Sequence, residues 1–244
     1  MSNKKDALFS QPLQNIVDFN FNTAVADVFA DMVKRSVPGY GTVIGVTGVI
    51  AEHYAQDNSN LYDLGCSLGA STLVMQQHVH ASHCEIIAVD NSQAMLDRFQ
   101  QHIPADHAIN IRPVCSDIRN ISIENASVVV LNYTLQFLPV EDRDNLIQKI
   151  YNGLLPGGAL VLSEKVLFDD THKQDLFISL HHDFKRANGY SDLEISQKRS
   201  ALENTLITES VQAHRSRLLD TGFSSAETWF QCLNFCSFLA VKDK

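Results

Sequence analysis

Short apolar runs alternate with helix-like stretches through the middle of the chain. The apolar runs are 61–64, 84–89, 109–114, 126–131 and 158–162. Helical periodicity lies between them at 71–78, 94–102 and 141–154. Strands that alternate with helices form a mostly parallel sheet, because each crossover helix packs back onto a face of that sheet. The pattern therefore predicts an α/β fold with five parallel strands and helices on both faces.

The two ends of the chain have a different pattern. An amphipathic helix is predicted over 23–37, and a long helical segment over about 170–220, interrupted at 188–191. Ser191 and Glu194 have the spacing of a capping box, which indicates a helix start. The runs 226–230 and 235–241 predict a C-terminal antiparallel hairpin. We expect one domain over 1–244, with an N-terminal helical cap (about 1–55) and a helical insertion (about 170–220).

Composition indicates the kind of molecule that this chain binds and where in the cell it is located. The formal net charge of −9 disfavours direct nucleic acid binding, which needs clustered Lys and Arg, so we expect a small-molecule substrate. The chain starts without a secretory signal and has no apolar stretch of about 18 residues, so we expect a cytoplasmic protein that is not bound to a membrane. Five scattered cysteines and the group His78, His80 and His83 do not form a typical zinc pattern, so no metal is expected.

The strongest local signal is the segment Asp63-Leu64-Gly65-Cys66-Ser67-Leu68-Gly69, which follows the first strand and leads into a helix. Glycine lets a ligand approach the backbone closely, and the first N–H groups of a helix are free to bind it. Ser67 stands where a pyrophosphate-binding loop has its middle glycine, which argues against a dinucleotide. A tight strand-to-helix turn without a ligand is the alternative interpretation.

Polar side chains follow the next three strands. Asp90 and Asn91 end the second strand, Asp117 and Ile118 follow the third, and Asn132 follows the fourth. Ligands gather at the carboxyl edge of an open parallel sheet, where a carboxylate can accept hydrogen bonds from ribose hydroxyls or an adenine amine. Each residue could instead be a simple capping residue. Together with the glycine segment they predict an adenosyl-binding site.

On these motifs the stretch 61–164 resembles class I S-adenosylmethionine (SAM)-dependent methyltransferases, with their Rossmann-like sheet. The resemblance implies contacts to the methionine part, the ribose and the adenine. These contacts fall, in that order, on Gly65, Cys66 and Ser67, on Asp90 and Asn91, and on Asp117 and Ile118. The segment Asn132-Tyr133-Thr134-Leu135 departs from the Asn-Pro-Pro-Tyr motif of amino-group methyltransferases, which weakens the case for methyl transfer to nitrogen.

The flanks carry a more specific resemblance. Arg35-Ser36-Val37-Pro38-Gly39-Tyr40 and the segments 181–191 and 196–200 closely resemble the carboxy-S-adenosylmethionine synthase family, and the similarity runs over essentially the whole chain. It implies that SAM and prephenate become carboxy-SAM and phenylpyruvate, and that the product serves carboxymethylation of wobble uridine in tRNA. It also implies a homodimer, with Arg199 and Tyr40 as catalytic and ligand-binding residues and Arg199 reaching into the partner subunit's pocket.

Several alternatives stay open at the level of sequence. Without the resemblance, Lys198 and Arg199 would be interpreted as solvated helix charges. The His181-His182-Asp183 segment could hold a general base or could simply bracket the helical segment. An ordinary small-molecule methyltransferase is the main enzyme alternative, and a non-catalytic SAM-binding module is the other.

Overall fold

The computed structural model describes residues 4–104 and 107–244 of the chain. The helices are α1 (Thr23–Ser36), α2 (Tyr40–Tyr54), α3 (Ala70–His78), α4 (Gln93–Gln100), α5 (Val140–Gly153), α6 (Thr171–Ala187), α7 (Asp192–Leu202) and α8 (Val211–Thr221). The strands are β1 (Asn60–Leu64), β2 (Glu85–Asp90), β3 (Asn110–Cys115), β4 (Ala126–Asn132), β5 (Leu154–Leu167), β6 (Glu209–Ser210), β7 (Ser225–Cys232) and β8 (Phe235–Val241).

One mixed sheet organises the described residues, in the strand order β3-β2-β1-β4-β5-β8-β7. The first five of these strands are parallel, β8 is antiparallel to β5, and β7 and β8 form the C-terminal hairpin. The predicted fold class is therefore confirmed. The chain direction places the carboxyl ends of β1 to β5 along one edge, which is where the polar strand-end residues meet.

The core lies on both faces of the sheet. Strand β4 is buried on both sides from Ala126 to Leu131, which is why its sequence is a continuous apolar run without alternation. On one face it packs with α5 and α8, and on the other with α2, α3 and α4. Each fully buried Val or Leu contributes about 1.5–3 kcal/mol relative to exposure, so the centre of the sheet is the rigid base of the site.

Helix α2 was not identified from the sequence. Its segment contains Gly41, Gly45 and Gly48 among β-branched residues, a composition of low helix propensity. Packing against α3 overrides that propensity, because a side chain at Gly48 would place its Cβ 2.8 Å from Nδ1 of His78. The glycine therefore allows the close approach of two helices that local propensity alone disfavours.

The predicted start of the fifth strand was wrong. Strand β5 begins at Leu154, four residues before the predicted start at Gly158, because an irregular register opposite 126–128 accommodates the Pro-Gly-Gly segment. The interrupted helical segment that was predicted over about 170–220 consists of α6, α7 and α8. The short strand β6 precedes α8 and pairs with the end of β5. Buried Arg143 stabilises that connection, since its guanidinium donates to the carbonyl of Ile207 at 2.8 Å and pairs with Glu209 at 2.5 Å.

The two sequence flanks that carry the specific resemblance pack against each other. Arg35 at the end of α1 donates to the carbonyls of Asn188 (2.7 Å) and Gly189 (2.8 Å) in the turn between α6 and α7, and it stacks 3.8 Å from the Tyr190 ring centroid. The predicted capping box of Ser191 and Glu194 starts α7. This packing fixes α7 beside the carboxyl edge of the sheet. No helix within the described residues has the length and apolar character to cross a membrane.

Candidate active site

A cavity of about 310 Å³ opens at the carboxyl edge of the sheet. The segments that follow β1 to β4, the end of β5, and helices α1, α2, α6 and α7 line it. Nine of the ten predicted site residues lie on its wall, namely Tyr40, Gly65, Cys66, Ser67, Asp90, Asn91, Asp117, Ile118 and Asn132. The tenth, Arg199, does not line the cavity. The structure thus brings together residues that are up to 92 positions apart in the sequence.

The glycine segment after β1 is a close-packed turn. Gly65 has φ +83°, and a Cβ there would lie 2.3 Å from Oγ1 of Thr134. Gly69 has φ +77°, and its Cβ would lie 2.0 Å from the Phe99 ring. Both positions need glycine because left-handed backbone and lack of space exclude a side chain. The backbone of this turn lines the cavity, as predicted from the sequence.

Asp90 connects this turn to the next strand. Its Oδ2 accepts from the Ser67 N–H at 2.9 Å, and its Oδ1 accepts from the Ser92 N–H at 2.8 Å. A carboxylate has about four acceptor positions, so each oxygen retains one for a ligand hydroxyl. Burial raises the pKa of Asp90, opposed by these two N–H donors. The residue is therefore held in place with acceptor capacity directed to the cavity.

Asp117 lies at the far end of the same edge, after β3. Arg119 pairs with its carboxylate, with Nη2 2.6 Å from Oδ2, and this ion pair holds the pKa of Asp117 below its usual value. Arg119 also reaches Asp142 at 2.6 Å. Asp117 is therefore a fixed anion, and buried Ile118 beside it supplies the apolar cover that a flat base requires.

Asn132 has one buried polar atom that its neighbours leave unsatisfied. Its amide nitrogen donates to Ser71 Oγ at 2.9 Å and to Thr47 Oγ1 at 3.2 Å, which fixes the orientation of the side chain. Its Oδ1 is buried and has no hydrogen-bond partner within the described residues. Buried acceptors are normally paired, so this oxygen is suited to accept from a ligand ammonium or hydroxyl in the cavity.

Tyr133 is a cavity residue that the sequence analysis did not select. It has φ +62°, an uncommon conformation for a large side chain, and its buried hydroxyl is unpaired in the part of the chain that the structure describes. Its ring lies 6.1 Å from that of Tyr40, which begins α2. Burial raises the pKa of both phenols, so each is a neutral hydroxyl at physiological pH. Left-handed backbone at a tyrosine has no sequence signal.

The wall at the β5 side of the cavity is basic. Lys165 at the end of β5, His181 and Lys185 on α6, and Lys198 on α7 all line it. The interpretation of Lys198 as a solvated helix charge is wrong, because the side chain is buried and its Nζ donates to Ser36 Oγ at 2.9 Å. None of these four was predicted to bind ligand, since they come from three separate elements.

His181 is buried as a neutral ring. Its Nε2 donates to the carbonyl of Ser36 at 2.8 Å, and burial together with nearby Lys185 lowers its pKa to about 2. A base this weak gains little driving force for removing a proton at neutral pH. The structure therefore does not favour the interpretation of His181 as a general base.

Arg199 lies in the last turn of α7 with its side chain exposed. It is near enough to Lys165 and Lys185 for its charge to contribute to lowering the pKa of both. The residue thus lies beside the basic wall of its own cavity without lining it. Its predicted ligand contact stays a prediction.

Aromatic side chains cover the cavity. Phe19 and Phe21 of the N-terminal segment contact each other edge to face at 5.2 Å, and Phe21 contacts Phe137 at the same distance. Gln197 on α7 anchors the segment through hydrogen bonds to the backbone, including one from its Nε2 to the carbonyl of Phe9 at 2.9 Å. The described residues contain no group of three or more potential metal ligands.

Comparisons with known proteins agree with this geometry. A family model described as a methyltransferase domain matches residues 61–158. A carboxy-S-adenosyl-L-methionine synthase of Trichlorobacter lovleyi is 58% identical and covers 99% of this chain and 100% of its own length. The synthase of Vibrio cholerae is 56% identical over 98% of both chains. Magnesium protoporphyrin IX methyltransferase of Synechocystis, solved with bound SAH, matches with a TM-score of 0.58 at 15% identity and covers 87% of both chains, which shows the fold alone.

The sheet order, the cavity at its carboxyl edge and the matching family model define a protein of the class I methyltransferase fold. The relatives that match over nearly the full length identify the family within that class. The chain belongs to the carboxy-S-adenosyl-L-methionine synthase family and is an enzyme, a transferase. The resemblance predicted from the flanking motifs is confirmed.

Proposed function

We propose that this enzyme converts SAM and prephenate to carboxy-SAM and phenylpyruvate, and that its product is the carboxymethyl donor for wobble uridine modification in tRNA by a separate enzyme. The observation that carries the proposal is the cavity itself. In a member of the synthase family, one space joins the nine predicted adenosyl contacts to a basic wall that suits an acidic second substrate.

The chemistry balances without a protein nucleophile. Prephenate loses its ring carboxyl group as carbon dioxide and its ring hydroxyl as hydroxide, which leaves aromatic phenylpyruvate. The hydroxide takes one proton from the methyl group beside the sulfonium, and the methyl carbon forms a bond to the carbon dioxide. Water is the remaining product. What the protein must supply is confinement, orientation and countercharge.

The residues of the cavity fit these tasks. Asp90 and the turn at Gly65–Ser67 hold the nucleoside and methionine parts, and Asn132 offers its unpaired Oδ1 to the ammonium of the methionine part. Tyr40 and Tyr133 border the region where the two substrates meet. The cover of phenylalanines excludes water, which would otherwise compete for the reactive methyl carbon by supplying protons.

The resemblance also leads us to propose a homodimer in which Arg199 enters the partner subunit's cavity. The exposed position of Arg199 supports this, because the residue is free to cross an interface. A guanidinium can hold a carboxylate through two parallel hydrogen bonds, so it would favour the carboxylated product. The net charge of −9 supports the absence of direct tRNA binding. Five free cysteines support a cytoplasmic location, where thiols stay reduced.

The decisive experiment incubates the purified enzyme with SAM and prephenate and analyses the products by mass spectrometry. We expect phenylpyruvate and a nucleoside heavier than SAM by one carboxyl group in place of one hydrogen. The Asp90→Asn variant serves as the site control and should give much less of both. Formation of the demethylated nucleoside alone would favour the small-molecule methyltransferase, and binding without turnover would favour the non-catalytic module.

Mixed dimers test the role of Arg199 in trans. Arg199→Ala and Asp90→Asn chains, each defective alone, are co-expressed with different tags. If Arg199 serves the partner's cavity, each mixed dimer regains one intact site, so random pairing should restore about a quarter of the wild-type sites. If Arg199 acts within its own chain, no site regains both residues and activity stays at the level of the separate variants.

A further inference from the structure

Two lysines of the basic wall have no counterion. Lys165 and Lys185 line the cavity, yet neither ammonium has a hydrogen bond or an ion pair within residues 4–104 and 107–244. Lys198 differs, because Asp6 lies 3.7 Å from its Nζ and Ser36 accepts its hydrogen bond. The wall therefore contains one neutralised lysine and two that face the cavity without a partner.

Burial makes this arrangement unfavourable in the absence of a ligand. Only 8% of Lys185 is exposed, and the charges of Lys198, Lys165 and Arg199 lie close to it. An unpaired buried ammonium costs several kcal/mol after relaxation of its surroundings, and like charges nearby add to that cost. An anion bound in the cavity would offset both the cost of the unpaired ammonium and the repulsion between the lysines. The buried Lys185 and the half-buried Lys165, both facing the cavity and unpaired within the described chain, thus indicate an anionic ligand.

The strand order separates charges of opposite sign along the cavity. Asp90 ends β2 without an ion pair to any described residue, and Asp117, which is paired with Arg119, follows β3. Lys165 lies near the end of β5, and the strand order is β3-β2-β1-β4-β5. With about 4.8 Å between neighbouring strands, β2 and β5 are about 14 Å apart. That span accommodates a nucleoside at the acidic end and a second small molecule at the basic end. A cationic sulfonium and an anionic substrate would therefore meet near β1 and β4.

An aromatic wall lies between the two ends. The Phe235 ring is 5.0 Å from the His181 ring and 6.0 Å from the Tyr133 ring, and all three residues line the cavity. Because His181 stays neutral, this surface suits a compact carbon ring. The ligand that matches the basic end is therefore a small dianion with a ring-shaped body.

We infer that Lys165 and Lys185 form the binding subsite for the carboxylate groups of the second substrate, a dicarboxylic acid whose ring packs against Phe235. Identifying that acid as prephenate rests on the proposed function, whereas the subsite follows from the placement of the charges. Lys198 belongs to the supporting structure, since Asp6 already neutralises it. The two lysines thereby determine which acid reaches the sulfonium.

The test compares Lys165→Met and Lys185→Met with Lys173→Met, a matched control on α6 whose exposed side chain does not line the cavity. Methionine preserves length and removes charge. We expect the KM for prephenate to rise about tenfold to a hundredfold in each cavity variant, as the loss of a charged hydrogen bond predicts, with the Kd of SAM changed less than about twofold. Lys165→Arg should recover part of the loss, because it restores the charge.

An unchanged KM for prephenate, or an equal weakening of SAM, would overturn the inference. Folding is checked by thermal unfolding, where loss of an unpaired buried charge should leave Tm unchanged or raise it. If either methionine variant fails to fold, Lys165→Gln or Lys185→Gln replaces it in the same comparison, because glutamine also removes the charge.

Direct titration separates this inference from the proposed function. Prephenate, a dianion, and phenylpyruvate, a monoanion, are titrated by calorimetry into wild-type enzyme and the two lysine variants, each loaded with S-adenosylhomocysteine. This ligand lacks the reactive methyl group, so the heat reports binding and not turnover. Tighter binding of prephenate that is lost in the lysine variants supports the subsite, even if no turnover follows and the proposed function fails. Turnover of prephenate with equal KM in wild type and variants leaves the proposed function intact and refutes the subsite. No measurable binding of either acid also refutes it.

Discussion

Removal of the Tyr133 hydroxyl should make the free enzyme more stable and bind SAM less tightly. The hydroxyl is buried without a partner in the described chain, and desolvation of such a group costs about 1–3 kcal/mol. Tyr133→Phe removes that cost and preserves the ring. For a chain of this length, 1 kcal/mol moves Tm by about 2–4 °C, so Tm of the free enzyme should rise by at least about 2 °C.

Ligand affinity should change in the opposite direction. If the hydroxyl pairs with SAM in the complex, its loss removes one hydrogen bond of about 0.5–1.5 kcal/mol, and the Kd should rise about two- to tenfold. Differential scanning fluorimetry measures the first quantity, and isothermal titration calorimetry measures the second. Both are needed, because a purely structural hydroxyl would change stability alone.

Tyr62→Phe is the matched control. The Tyr62 hydroxyl donates to the carbonyl of Glu124 at 3.2 Å and accepts from its N–H at 3.1 Å, and the residue does not line the cavity. This variant should lower Tm and leave the Kd of SAM unchanged. The reasoning is refuted if Tyr133→Phe lowers Tm, or if it raises Tm with no effect on SAM binding.

Three further predictions concern charged groups of the cavity. Burial and nearby cations lower the pKa of Lys185 to about 7, so its side chain is cationic below that pH and neutral above it. The kcat/KM for prephenate should therefore fall above about pH 7. The pH profile of Lys185→Met should not show that decrease. Arg199→Ala should weaken carboxy-SAM far more than SAM in calorimetry, by about tenfold or more, and equal weakening would show a structural role. Asp90→Asn should raise the Kd of SAM about tenfold or more, because the carboxylate loses a ribose acceptor and its pairing with the Ser67 N–H; an unchanged Kd would exclude the ribose contact.

The sheet and half of the cavity could be predicted because their signals are local. A buried parallel strand is a short apolar run, and the turn at Gly65 and the acid at Asp90 directly follow such runs. Strand order then brings their ends to one edge. The carboxyl end of a strand is thus a position that sequence alone locates, and the residues found there are the ones that the cavity collects.

Helix α2 and Tyr133 could not be predicted because tertiary packing decides both. Three glycines in α2 lower helix propensity, and the close approach of α3 explains the glycine at Gly48. A side chain at Gly41 or Gly45 would meet open space, so packing does not explain those two glycines. The left-handed backbone of Tyr133 depends on its N–H donating to the carbonyl of Ser163 on β5, at 2.6 Å. Local propensities contain neither contact, so the sequence gives no signal for them.

The basic wall escaped prediction for a related reason, and it is what separates the two enzyme hypotheses. Lys165, Lys185 and Lys198 are 20 and 13 positions apart in sequence and belong to three elements, so no motif connects them. A methyltransferase that acts on a neutral substrate needs only the acidic end of the cavity, where the cationic ligand is held. Unpaired lysines at the other end would weaken sulfonium binding by repulsion, and that cost is offset only when an anion binds beside them. Their presence therefore favours an acidic second substrate over a neutral methyl acceptor.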